Sequence, residues 1–433
     1  MKLKRLGIIA FAASALLAAL SGCASGPTAE DGKSLVIWNY EDESSAMGQA
    51  WKRAVEVFKE EHPDVKVKFA QQAFTSTKTN AQVLLSGNDV PDVMEFNKGA
   101  AGAGQLASQG LISPLTDAVE KYGWDKTLAS PSLQQLSRYT TDGVPGDGDW
   151  YGIPNYGEYI LWYYNKDFFA EHGLQVPTTR AELDQLLADI KGLGVTPVAA
   201  SAKEFPYIHT WFQYVLRDAP ADWVNCYQLL ECKVDFDAPY WSEGTAAAEN
   251  LVKDGYTSPN ITGITHEQMG VNFLSGKSPL MTSGSWWFGR LKSEAKFDWD
   301  AFAWPEQNLN QGSVGNLWVV PTKAKNKDLA YEFIDITLRP EIQNILGENG
   351  GLPIAGDPSA ITDERTAKFT TTFQELANSN RLALYPDFPF PGYFEELLKD
   401  SQSVANGSKT PEEVVDIVQK FYEDGLKNSS ASK

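Results

Sequence analysis

Three cysteines, four histidines and 56 acidic residues are the groups with which this 433-residue chain could do chemistry, and their spacing decides which chemistry. A zinc peptidase helix needs two histidines one turn apart with a glutamate after the first. His266-Glu267 begins that pattern, but Gly270 stands where the second histidine belongs. A serine hydrolase of the α/β type needs a Gly-x-Ser-x-Gly elbow, and the sequence contains none. Asp147-Gly148-Asp149-Trp150-Tyr151-Gly152, with Glu158 beyond, spaces oxygens somewhat like a calcium loop. Tyr151 falls on a usual oxygen-ligand position there and no helix flanks the segment, so it reads as a hairpin turn. A glycosidase needs two carboxyls facing one bond at a set distance. Among 56 acidic residues some pair always could, and nothing local singles one out. No catalytic residue, metal site or cofactor is expected, and no P-loop is present to supply energy from a nucleotide.

Cys23 carries the sharpest local signal. Met1-Lys2-Leu3-Lys4-Arg5 is a short basic start, and an uncharged Ala/Leu-rich run follows from Leu6 to Leu20. That run of about 15 residues is short of the ~20 that span a bilayer, and it fits an export signal. Ser21-Gly22 directly before Cys23 resembles a bacterial lipobox, so residues 1–22 are expected to be removed and Cys23 to carry lipid, whose acyl chains insert by the same apolar transfer that buries methylenes in a core. Residues 23–33 then form a polar tether too poor in apolar groups to fold. The expected location is extracytoplasmic, on the outer face of the bacterial cytoplasmic membrane, with the lipid as the only membrane contact. In an exported chain the other two cysteines, Cys226 and Cys232, read most simply as a disulfide closing a small loop. A zinc site there is disfavoured, because none of His62, His172, His209 and His266 lies near the pair.

The elements that must position a site follow from length, charge and pattern. Loss of Lys2, Lys4 and Arg5 takes the formal charge from −19 to −22. So acidic a body repels nucleic acid at long range. About 400 mature residues exceed what one core usually serves, so two domains are expected. Ser34-Leu35-Val36-Ile37-Trp38 reads as a strand, the apolar spacing of Ala50, Trp51, Ala54, Val55 and Phe58 as a helix, and Val65–Phe69 as a second strand. A helix over 79–86 and a strand ending at Phe96 continue a rhythm that predicts an α/β domain with a largely parallel sheet. Tyr159–Asn165 reads as a buried strand. Helices are expected over 179–193, 206–217, 245–254, 327–337, 364–377 and 411–426.

Several short motifs occur in a telling order: Val90-Pro91-Asp92-Val93; Trp150-Tyr151-Gly152-Ile153-Pro154 leading into Leu161-Trp162-Tyr163-Tyr164-Asn165; Phe273-Leu274-Ser275-Gly276-Lys277; Gly284-Ser285-Trp286; Val319-Val320-Pro321; Gly350-Gly351-Leu352-Pro353-Ile354. In this order the set resembles the family 1 extracellular solute-binding proteins of ABC importers, a group that includes maltodextrin-binding proteins. The resemblance implies a two-lobed α/β fold of the periplasmic-binding-protein kind, with a ligand cleft between the lobes and a multi-segment hinge. Lobe 1 would comprise 34–155 and 312–345, lobe 2 would comprise 156–311 and 346–433, and the crossings would fall near 153–157, 305–312 and 339–351. It further implies a monomer that captures an oligosaccharide, closes on it and delivers it to permease subunits.

A sugar is polar at its edges and apolar on its C–H faces, so its cleft needs aromatic plates and hydrogen-bonding side chains. Open α/β sheets bind ligands beyond the carboxyl ends of their strands. On that rule Asn39, Tyr40, Glu41 and Asp42 follow the first strand, and Glu95, Phe96 and Asn97 end another. By resemblance Phe96 aligns with an aromatic contact, Glu158 with an acidic contact and Tyr207 with a stacking tyrosine, while Phe205 replaces an acidic contact of maltodextrin binders. Tyr156 neighbours Glu158 across the hinge. Trp286 is the foremost candidate plate, with Trp287 assigned to the core. Asn316 and Trp318 would face the cleft in this topology. Alternating prolines at 386, 389 and 391 fix an extended loop that would present Phe388, Phe390 and Tyr393. The acidic turn at 41–43 would also suit a polyamine, which stands second to a sugar. A shortage of basic residues argues against a phosphorylated ligand.

Overall fold

The computed structural model describes residues 33–428, except Ser44, Ala129 and Pro391. Cys23, the export signal and the tether lie outside the described residues.

The first sheet forms because short apolar strands alternate with amphipathic helices. Strand Ser34–Asn39 buries Leu35, Ile37 and Asn39 and leaves its alternate residues partly exposed. It pairs in parallel with Lys66–Gln71 on one side and Val93–Phe96 on the other. Helix Ala46–Glu61 starts where Ser45 caps it by accepting from the Gly48 N–H, which satisfies one of the donors a helix start leaves unpaired. Its buried stripe of Ala50, Trp51, Ala54, Val55 and Phe58 has the spacing of one helical face. The sheet is completed by Leu317–Val319, antiparallel to Val93–Phe96, and by Ile153–Pro154, antiparallel in turn to Leu317–Val319. Four of the five strands therefore run in one direction, and only Leu317–Val319, which returns from the second sheet, runs opposite to the strands of the βαβ units.

The second sheet is built on Gly157–Asn165, nine residues buried without a break. A strand covered on both faces reads as a continuous apolar run, and Tyr159-Ile160-Leu161-Trp162-Tyr163-Tyr164 is one. Leu280–Gly284 pairs antiparallel on one edge. Asn310–Val314 and Trp299–Phe302 share the other edge, each pairing with one half of the central strand. Val198–Ala199 and Leu382–Ala383 extend the sheet in parallel. Helix Pro206–Leu216 is buried on every side, as expected of a helix apolar all round. Helices Pro239–Lys253 and Tyr393–Asn406 pack on it, and Pro411–Asn428 packs on those two. No helix among the described residues is long and apolar enough to cross a membrane.

The chain passes between the sheets in three places. The first pass, at 155–156, links Ile153–Pro154 of the first sheet to Gly157–Asn165 of the second. The second does not lie at 305–312. Asn310–Val314 is a strand of the second sheet, and the chain leaves it at 315–316. The third pass comes at 350–352, because helix Pro340–Glu348 still packs on Ala46–Glu61 of the first lobe. The three passes are bonded to one another. Gly315 N–H donates to Tyr156 O at 2.6 Å, Asn155 N–H to Asn316 O at 3.2 Å, and Gly157 N–H to Leu352 O at 2.7 Å.

A β-carbon at Gly315 would fall 2.3 Å from the Tyr156 ring. Gly315→Ala is therefore expected to destabilise the protein by about 1–3 kcal/mol, the usual cost of overpacking. A urea midpoint equal to that of the parent would contradict this close approach.

Candidate ligand-binding cleft

The strand ends of the two sheets converge on one group of polar side chains. Lys98, two residues past Val93–Phe96, forms an ion pair with Glu158 on Gly157–Asn165, so the pair joins the lobes. Both side chains are buried, at 4% and 7% exposure. The Lys98 ammonium also lies 5.1 Å from the Tyr385 ring centroid and 5.7 Å from that of Phe388, within the range of cation–π attraction. On the first lobe, Glu95 accepts from the Asn155 amide at 2.6 Å, from Trp51 Nε1 at 3.3 Å and from the Tyr40 N–H at 3.2 Å. The Asn316 amide donates to Glu41 at 3.3 Å and to the Tyr156 hydroxyl at 3.2 Å.

These carboxyls share one electrostatic condition. Burial raises Glu41 to about 7, and the neighbouring Glu158 charge adds to the rise. Burial, then the charge of Glu41, pushes Glu95 well above the usual carboxylate range. Burial raises Glu158 against the pull of Lys98, and raises Asp387 as well. Taking a carboxylate out of water disfavours its charged form.

Aromatic rings form the second-lobe wall. Trp286 is half-buried and packs near Phe205, His209, His266 and Tyr385, with centroids 6.0 to 6.5 Å apart. Its ring folds back over Gly284, where a β-carbon would fall 2.0 Å away. His209 stacks on Tyr385 at 4.6 Å and 15°. Burial lowers His209 to about 3 and His266 to about 4, so both rings are neutral near pH 7. His266 Nε2 accepts from the Trp287 indole at 2.6 Å.

Of the residues expected from sequence, Asn39, Tyr40, Glu95, Tyr156, Glu158, Trp286, Asn316 and Phe388 lie in or around this cluster. Asn97 is half-buried beside it, its amide oxygen accepting from the Lys98 N–H at 3.1 Å. Others do not line the cleft. Phe96 is a core side chain, since neighbours on a strand point to opposite faces and Glu95 takes the cleft side. Trp318 packs on Trp51 and Phe333 inside the first lobe. Tyr207 is fully buried within the second, its hydroxyl donating to Ala248 O. Phe390 packs on Tyr422, and Tyr393 bonds the Tyr227 hydroxyl at 2.9 Å, so both belong to the helical core. Asp42 is exposed in the turn that leads into the first helix, where its carbonyl accepts from Ser45.

Lys98, Asn155, His209, Tyr385 and Asp387 were not among the residues expected from sequence. A lysine just past a strand end, in so acidic a chain, was the available signal for Lys98.

The Cys226 and Cys232 sulfurs meet, with Cα atoms 4.4 Å apart. Their turn holds the aromatic wall in place. Gln228 Nε2 donates to Leu384 O and to Tyr385 O at 2.6 and 3.0 Å. The segment weighed for calcium is a hairpin, with Arg138–Tyr139 antiparallel to Asp149–Trp150. The Arg138 guanidinium bonds Gly148 O and Asp147, putting a cation of the protein's own on that loop.

Two lobes joined by three side-by-side passes, with polar and aromatic groups converging between them, define a protein that encloses a ligand by hinge motion. The family model for bacterial extracellular solute-binding proteins matches residues 41–344, and the chain belongs to that family. It is 24% identical over 363 residues to the multiple sugar-binding protein of Streptococcus mutans serotype c, with 82% of each chain covered. Its fold is similar to that of a chitin oligosaccharide binding protein, with a TM-score of 0.76 at 20% identity, covering 92% of this chain and 100% of the other. The GacH receptor of Streptomyces glaucescens, solved unliganded and with acarbose, gives a TM-score of 0.71 at 21% identity over 92% and 100% of the two chains.

The raised Glu41 makes stability depend on pH in a defined direction. A carboxyl that is harder to ionise in the folded state binds more protons there than in the unfolded chain. Its contribution is therefore most favourable below the ordinary carboxylate range and is lost as pH rises to about 7. The stability difference between the parent and Glu41→Gln should shift against the parent across that window. Urea unfolding at several pH values measures it, and a difference independent of pH would contradict the buried, charge-crowded placement of Glu41.

Proposed function

We propose that this protein captures a saccharide reversibly between its lobes and delivers it to the permease of an ABC importer, while Cys23 tethers it by lipid to the outer face of the membrane. The observation that carries this reading is the pairing of an aromatic wall, centred on Trp286, with hydrogen-bonding groups from both lobes, Glu41, Lys98, Glu158 and Asn316. Rings cover the apolar face of a sugar, and carboxylates and amides bond its hydroxyls. A ligand that touches both lobes stabilises the closed arrangement, so capture and closure are one equilibrium. No bond is made or broken in this cycle. The sugar-binding names of the relatives support the ligand class. A small basic solute such as a polyamine is the second reading, favoured by the number of buried carboxyls in the cleft. We also propose that Cys226 and Cys232 form a disulfide, that the mature protein is a monomer, and that residues 24–33 act as a leash.

Calorimetric titration against a panel of oligosaccharides tests the ligand class, and silence from every sugar would overturn it. Trp286→Ala should weaken binding of a responding sugar by about 1–3 kcal/mol, the loss of an aromatic anchor, with an unchanged circular dichroism spectrum. Unaltered affinity would remove Trp286 from the site. Cys23→Ala should release the protein from the membrane fraction into the medium. Retention with the membranes would contradict the lipid anchor.

A further inference from the structure

The cleft gathers more carboxyls than its one lysine can pair, and burial with mutual repulsion raises Glu41 to about 7 and Glu95 well above the usual carboxylate range. Glu41 and Glu95 come from the first lobe, and Glu158 and Asp387 from the second. Lys98 is taken by Glu158. Among the described residues, no ion pair joins Glu41, Glu95 or Asp387 to a cation. Asn155 is fully buried and spends its amide N–H on Glu95, which leaves its side-chain oxygen without a partner at the same spot. Asn316 has one amide group, divided between Glu41 and Tyr156. Asn39, 2% exposed, adds one buried donor without a partner, while its oxygen accepts from the Glu41 N–H at 3.0 Å.

A hydroxyl suits this constellation poorly, because it brings one donor and two further acceptor lone pairs. An ammonium brings three donors, no acceptor and one positive charge. The cleft already seats such a group. The Lys98 ammonium is held by a carboxylate and by the faces of Tyr385 and Phe388.

We infer that the ligand is a saccharide bearing a protonated amine, and that its ammonium is received by Glu41, Glu95 and the free oxygen of Asn155 while Trp286 covers a sugar face. This rests on the saccharide-capture reading and narrows it to an amino sugar. A neutral sugar leaves in place the protons that burial already favours on Glu41 and Glu95, so its binding exchanges few with the buffer. An ammonium favours the ionised carboxylates, so an amino sugar displaces those protons.

The test is titration at pH 7 with three ligands of matched linkage, namely a β-1,4-linked glucosamine disaccharide, its N-acetylated form and cellobiose, together with spermidine. Each is run in two buffers of different ionisation enthalpy, so that proton exchange is read directly. The amine-bearing disaccharide should bind at least about ten-fold more tightly than the other two sugars, about 1.4 kcal/mol, and should displace protons from the cleft that the other two leave in place. Glu41→Gln should bring that ratio toward one, and Glu95→Gln removes the second receiving carboxyl should Glu41→Gln fold poorly. Equal or tighter binding of the neutral or acetylated sugar would overturn the inference and leave saccharide capture standing. Spermidine binding more tightly than every sugar would keep the ammonium site but overturn the saccharide. Silence from all four ligands would overturn both.

Discussion

The Lys98–Glu158 ion pair is the contact on which the cleft depends. Removing two charges from water costs several kcal/mol per ion, and their attraction offsets that only with good geometry and satisfied neighbours. Both conditions arise from the fold. Lys98 leaves the end of a short buried strand, and Glu158 sits on the most buried strand of the other lobe. The rings of Tyr385 and Phe388 cover the ammonium. One interaction thereby fixes where the two sheets face each other and where a ligand must insert. For a ligand to enter, the lobes have to part and the pair has to separate or admit a new partner.

The remaining polar groups are arranged around this point in order of depth. Glu95 is buried and tied down by Trp51, Asn155 and the Tyr40 backbone, so it cannot swing away as the lobes move. Glu41 lies in a loop and is held by Asn316, which belongs to the second pass between lobes. Hinge position and carboxylate position are therefore linked through a single amide. The wall opposite is stiffened by the Cys226 turn, because Tyr227 and Gln228 bind the segment that carries Tyr385.

The architecture was legible because it depends on patterns that survive in short stretches. The run from Tyr159 to Asn165 could only be a strand covered on both faces, and the apolar spacing after Ser45 could only be a helix. The order of the motifs pointed to the family and so to a two-lobed fold. What could not be read locally was the handedness of each side chain's exit. Glu95, Phe96 and Asn97 are consecutive, and the pleat lets only some of them face the cleft. Trp318 and Trp286 are both tryptophans just past a glycine-containing turn, yet one packs on Trp51 and the other on Phe205 and His209. The second crossing was placed too early because Asn310–Val314, though polar, is completed as a strand by Tyr159 and Leu382, which are distant in sequence. Lys98 and Asn155 matter only through partners about 60 residues away, and no spacing rule reaches that far.

The most direct test of the cleft is a crystal structure of the protein with the saccharide that titration selects. The account expects the sugar between the lobes, with Trp286 against one of its faces and Glu41 and Glu158 within hydrogen-bond reach. A sugar seated instead in the cavity of about 520 Å³ lined by Asp222, Asn225, Asn308 and Arg381, with Lys98 still closed on Glu158, would contradict it.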